Sequence, residues 1–195
     1  VQSTIRKKVD GGAVLWDKSK HALVDNCIFV GNFVTTDGDV GGDSSTADWA
    51  QGGAMYLRPN ENYTISNCLF ENCSSSKEAG ALYIQSNANV GNVLITDTTF
   101  KNNFANASGK NNIYGGGAVQ VKQAYKVEFK NVEFINNTAN KGGAVVIFKA
   151  NGNNKIFNNC TFIGNEAELG GAFYIYKDNN NLNLQISNSN FTYNI

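Results

Sequence analysis

The stretch from Gly142 to Asn165, GGAVVIFKANGNNKIFNNCTFIGN, decides the fold because both of its ends recur along the chain. Its opening returns as GGAV at Gly11 to Val14, GGAM at Gly52 to Met55, AGAL at Ala79 to Leu82, GGAV at Gly116 to Val119 and GGAF at Gly170 to Phe173. Its close, Phe162 with Asn165 three residues on, matches Phe29 with Asn32, Phe100 with Asn103, Phe134 with Asn137 and Phe191 with Asn194. Phe70 belongs to the same series, but Cys73 stands where Asn is expected. The first small residue precedes its Phe by 18, 18, 21, 18, 20 and 21 residues. Each Phe precedes the next small pair by 23, 9, 16, 8 and 8. Six units of about 28 residues follow, a length that belongs to solenoids or propellers.

Alignment on the Phe shows a period of two. Five residues earlier stand Val24, Ile65, Ile95, Phe129, Phe157 and Ile186, all apolar, and the next residue is polar in every unit. That alternation puts the first set inside a strand-built core. No apolar period of 3.6 is present, so helical solenoids are excluded. Three before the Phe come Asn26, Asn67, Asp97, Asn131, Asn159 and Asn188. Stacked coils about 4.8 Å apart superpose such side chains, so that amides hydrogen-bond up the stack. Asn also tolerates the left-handed backbone of a tight bend. The expectation is an all-β parallel β-helix of about six coils, with three short strands per coil. Two Asn ladders sit at its turns: one at Asn26, Asn67, Asn131, Asn159 and Asn188, the other at Asn32, Asn103, Asn137, Asn165 and Asn194. Phe29, Phe70, Phe100, Phe134, Phe162 and Phe191 form the core. Residues 1–195 are read as one domain and as a segment of a longer chain. Insertion loops at 33–51 and 104–115 leave the same corner.

Composition fits this reading. The 195 residues hold 31 Asn and 20 Gly but also 12 Phe and 8 Tyr, so turns and a core coexist. Formal net charge is zero, which excludes a nucleic-acid or membrane-surface binder that works by bulk charge. No apolar run is long enough to cross a bilayer as a helix.

Small-small-Ala-aliphatic followed by Phe-any-any-Asn resembles the repeat of the polymorphic membrane proteins, chlamydial surface autotransporters. Similar repeats occur in adhesin-like proteins of methanogenic archaea and in surface proteins of some protists. The resemblance implies a right-handed parallel β-helix displayed outside the cell for adhesion, with a host-cell or neighbouring-cell surface protein or glycan as partner. The C-terminal membrane barrel of the autotransporters has no counterpart in this sequence.

Candidate sites are few. With Arg6 and Arg58 the only arginines, His21 the only histidine and no recurring acidic column, the expectation is a non-enzyme. A structural subunit of a filament, sheath or surface layer, associating end to end, is the main alternative. A carbohydrate-active β-helix is a distant third. Trp49 and Tyr114, carried by the two insertions, are the candidate ligand contacts, with packing back onto the rod as the competing reading. No cofactor is expected except calcium. Asp37, Asp39 and Asp43 alternate with turn residues as in a calcium loop, though the Glu that would close an EF-hand is missing. A solvated acidic loop is the simpler reading of that stretch. Among six Asn-x-Ser/Thr sequences, Asn62 and Asn106, placed in loops, are the expected glycosylation acceptors, whereas Asn159, placed in a ladder, is expected to be inaccessible. Cys27 and Cys68 share one inward position in adjacent coils. A disulfide between them, one between Cys68 and Cys73, and free buried thiols all remain open, with Cys160 a fourth small core residue.

Overall fold

A computed structural model describes residues 8–36, 49–86, 90–106, 115–148, 154–176 and 182–195. Every described strand pair is parallel, and each joins one coil to the next. The strands after the Gly-Gly-Ala signature stack six deep, in the order Val14–Asp17, Met55–Arg58, Leu82–Gln85, Val119–Lys122, Val145–Phe148 and Phe173–Tyr176. This is a parallel β-helix with four coils sandwiched between a first and a last one.

The three segments expected in each coil are present, and the first five coils add a fourth. After the Gly-Gly-Ala strand comes a segment such as Asn62–Ser66, then a bend, then the Phe-bearing segment such as Leu69–Glu71. These two belong to one sheet. In the third and fourth coils they fuse into the continuous strands Asn92–Lys101 and Lys126–Ile135. A fourth, short segment follows the inward Asn, as in Phe33–Val34, Ser74–Ser75, Phe104–Ala105 and Thr138–Lys141. It holds only two to four residues, too few to announce a period in the sequence.

The Phe ladder is continuous. Phe29, Phe70, Phe100, Phe134, Phe162 and Phe191 stack with ring centroids 4.7 to 5.3 Å apart and nearly parallel planes. Such offset stacks add to the free energy of area burial. The inner four rings are fully buried, while Phe29 is half-buried and Phe191 is exposed in the last coil.

The two Asn ladders differ in kind. Asn26, Asn67, Asp97, Asn131, Asn159 and Asn188 all have φ between 50° and 54°, the left-handed bend expected, and lie on the outside. Asn159 is therefore exposed, contrary to the expectation that ladder membership would hide it. Its Nδ2 donates to Asn131 Oδ1 at 2.9 Å, and Asn67 donates to Asp25 Oδ1 at 2.9 Å. The second ladder points inward and does not make the bend. The left-handed residue comes one position earlier, at Gly31, Asn72, Asn102, Asn136, Gly164 and Tyr193. Asn103, Asn137 and Asn165 are fully buried, and each amide is satisfied by its neighbours. Asn137 Nδ2 donates to Asn165 Oδ1 at 2.9 Å and to Phe100 O at 3.0 Å, while its Oδ1 accepts from Asn103 N and Nδ2. Asn194 continues the chain of bonds from Asn165. At the other end Asn32 Nδ2 reaches only Cys73 Sγ, at 4.0 Å, because the second coil lacks the amide.

Two glycines explain the signature. Gly116 opens its turn at φ 83°, where a side chain is strained, and Gly117 has no space for a Cβ against Gly143 O of the next coil. Ala79 replaces the first of the pair and still holds φ 55°. All four cysteines are free thiols. Cys68 Sγ donates to Ser66 O at 3.0 Å, and burial pushes the thiols of Cys68, Cys73 and Cys160 up.

Candidate functional site

The short strands set where the insertions leave. Ser74–Ser75 pairs with Phe33–Val34 on one side and Phe104–Ala105 on the other, so 33–51 and 104–115 start at one register two coils apart. Both are followed in sequence by a Gly-Gly-Ala turn, at Gly52 and Gly116. Asp37, Asp39, Asp43 and Tyr114 lie outside the described residues. Among the described residues no three of His, Cys, Asp and Glu stand together in a way that could hold a metal ion.

Trp49 is described and half-buried. It begins the strand Trp49–Gln51, which pairs with Lys8–Asp10. Lys122 Nζ lies 5.6 Å from the centre of the Trp49 ring and 5.6 Å from that of Phe148. Phe148 stacks on Tyr176, and Lys141 Nζ lies 5.5 Å from the Tyr174 ring. Aromatic rings and ammonium groups thus alternate across the outer surface of this sheet, an arrangement of cation–π pairs.

The same surface breaks the inside–outside rule. Leu15, Tyr56, Tyr83, Gln120, Val146 and Tyr174 stand in one outward column. Tyr56, Tyr83, Gln120 and Val146 are nevertheless buried, so their strands are buried on both faces. Tyr56 and Tyr83 stack at 5.1 Å, and both hydroxyls reach Gln85 Oε1, at 3.2 and 3.5 Å. Burial holds the Tyr56 phenol protonated well above its usual range. Gln120 makes no hydrogen bond with either amide atom, a cost of about 1–3 kcal/mol for each buried group left bare.

Glu78 enters this surface from the turn before Ala79. It is 1% exposed, and its Oε2 accepts from Gln51 Nε2 at 2.6 Å. Burial pushes its carboxyl up to about 7, against the opposing pull of the Gln51 bond, the Lys122 charge and the Tyr83 hydroxyl. Sequence reasoning passed over Glu78, Tyr56, Tyr83, Gln120 and Lys122. The visible signal was the outward column of Leu15, Tyr56, Tyr83, Gln120, Val146 and Tyr174, which carries no charged residue, whereas the outward columns through Thr64 and Glu71 mix apolar residues with charged ones.

Other candidates fall elsewhere. Asn62 is the first residue of the strand Asn62–Ser66, not part of a loop, and its Oδ1 accepts from Asn92 Nδ2 at 3.0 Å. That bond belongs to a third amide column that includes Asn183 and Asn154, joined at 2.7 Å. A shallow groove lined by Asn62, Thr64, Asn92, Lys126 and Glu128 runs across this column. Asn106 is exposed, with its N–H donating to Ser75 O. Asp25 and Asp97, the two acids of the outer bend, are held ionised by donors. Ser66 and then Asn67 lower the pKa of Asp25, and Thr96 and then Asn131 lower that of Asp97. His21 meets Glu61 at 3.4 Å on the exposed surface.

Comparison with known proteins agrees with this geometry. The family described as a right-handed β-helix region matches residues 2–194. No curated protein and no solved structure matches the chain. The parallel stacking, the Phe and Asn columns and a family match over nearly the whole sequence lead to one statement: the chain belongs to the right-handed β-helix family.

Proposed function

We propose that this protein is a non-enzymatic, adhesin-like β-helix of the cell surface, of the polymorphic-membrane-protein repeat type. In this reading a stiff rod presents binding contacts at the corner beside the Gly-Gly-Ala sheet. The partner is a protein or glycan on a host or neighbouring cell. The observation that carries the reading is the pairing of partly exposed aromatic and cationic side chains on the outer face of the Gly-Gly-Ala sheet, Trp49 with Lys122 and Tyr174 with Lys141. Aromatic and cationic side chains on a rigid scaffold supply large contact area at low entropic cost. The exposed acids Asp25 and Asp97 serve the stack as hydrogen-bond acceptors rather than as acid–base groups. Calcium, if the protein takes it, would belong to Asp37, Asp39 and Asp43 and not to this surface.

The test is immunogold electron microscopy of the cells that make the protein, with an antibody raised against the 33–51 loop. Scattered label on the cell exterior is expected. Continuous label at a regular interval along a fibre or sheath would make the protein a structural subunit instead, and label confined to the cell interior would overturn both readings.

A further inference from the structure

Glu78 is held by more than its side chain. Its N–H donates to Ala50 O at 2.9 Å, and its C=O accepts from Gly52 N at 2.9 Å, so backbone bonds clamp the end of the Trp49–Gln51 strand from the third coil. Ser75 Oγ adds a bond to Ala50 O at 2.8 Å. Among the described residues the side chains of Gln51 and Glu78 meet in a 2.6 Å bond from Gln51 Nε2 to Glu78 Oε2, while Glu78 Oε1 is buried with no hydrogen-bond partner. A neutral carboxyl tolerates that arrangement. A carboxylate does not, because a buried charge needs its lone pairs met.

We propose that Glu78 is a proton-operated latch: protonated, it fixes the Trp49–Gln51 strand to the third coil, and ionised, it loosens that strand. The groups that face Glu78 are consistent with this role. Asp10, on the strand paired with Gln51, repels the ionised form, and Lys122, from the fourth coil, attracts it. The nearby Tyr83 hydroxyl, bonded to Gln85 Oε1, also favours the ionised form, and Tyr56, stacked on Tyr83, feels its charge. Burial outweighs the attractive contributions, which leaves the carboxyl near pH 7 when docked against 4.5 when solvated. A docked-state value above the solvated one means that the latch is fully engaged below about pH 4.5 and is lost as pH rises through about 7. The strand it holds is the descending flank of the first insertion, so the device would make the corner surface sensitive to pH near neutrality.

Hydrogen exchange on the 195-residue chain tests this. After correction for intrinsic exchange, the protection of the Gly52 and Glu78 amides should fall by about tenfold or more between pH 5 and pH 8. Protection at Gly117, whose amide bonds to Gly142 O in the fourth and fifth coils, should stay constant. Glu78→Gln should flatten the pH response at Gly52. Constant protection at Gly52, an equal fall at Gly117, or an unchanged pH response in Glu78→Gln would each overturn the latch. A carbon-13 titration of the Glu78 carboxyl in the unmodified chain tests it without any variant: a midpoint near 7 supports the latch, and one below 5 overturns it.

Discussion

At Lys155 the second segment places an ammonium where the other coils place Ala22, Tyr63, Val93, Val127 and Leu184. Its side chain is 1% exposed, and its Nζ donates to Ala124 O at 2.8 Å. No opposite charge offsets the loss of water, so burial alone lowers its pKa to about 8 from 10.5. The sign follows directly. The folded value lies below the unfolded one, so the unfolded chain binds more protons in between, and the stabilisation present above about 10.5 is lost as pH falls through about 8. Thiols and tyrosines titrate in the same range, so the comparison must be with Lys155→Met. From pH 8 to pH 10 the wild type should gain on that variant by on the order of 1 kcal/mol per pH unit in urea unfolding. Parallel stability curves would show that Lys155 is solvated in solution. The inward Asn residues pose the opposite case. Their amides are polar and buried, yet each is met by the coils above and below, so burial costs them little.

The Gly-Gly-Ala turn shows why identical residues can matter unequally at the scale of the element. A methyl at Gly117 would strike Gly143 O of the next coil and approach Thr138 N at 2.6 Å and Thr138 O at 2.8 Å across its own coil, all backbone atoms. At Gly31 nothing lies within 4 Å of a built Cβ, and φ is 65°. Its counterparts in the next three coils are Asn72, Asn102 and Asn136, each with φ between 52° and 55°. Gly117→Ala is therefore expected to cost about 3 kcal/mol or more. Gly31→Asn should stay within about 0.5 kcal/mol of wild type. Thermal or urea unfolding of the two variants checks both values, and equal losses would refute the packing account. This contrast also marks what could be read from sequence. Periodicity exposed the Phe column, the inward column of Ile65, Ile95, Phe129 and Phe157, and the left-handed bend at Asn26 and its equivalents, because each recurs in every coil. The short segment at Ser74–Ser75 escaped, since two residues carry no period. The inward turn of Asn137 escaped too, because an Asn reads alike whether it makes a bend or fills a core. Glu78 was illegible for a different reason: it occurs once, and its character comes from Gln51, Tyr83 and Lys122, which stacking alone brings together.

For the whole molecule, each coil buries its apolar side chains against its two neighbours, so stability is a sum of coil and interface contributions. Phe134 lies between Phe100 at 5.3 Å and Phe162 at 4.7 Å and is fully buried. Phe191 is 46% exposed and stacks on Phe162 at 4.7 Å. Truncation of the first removes contacts on both sides and opens a cavity, at a cost of about 3–5 kcal/mol. Truncation of the second removes one contact at an open surface, so its cost should be less than half as large. Coils should also fail separately. In Phe191→Ala, hydrogen exchange should quicken in the last coil while the amides of Leu82 and Val119, in the third and fourth coils, keep their protection, as sub-global opening predicts. In Phe134→Ala the loss should spread through both neighbouring coils, since the Asn103, Asn137 and Asn165 amides beside that ring are bonded in series. Equal costs for the two truncations, or uniform loss of protection in both, would mean that the rod unfolds as one cooperative unit rather than as a stack of coils.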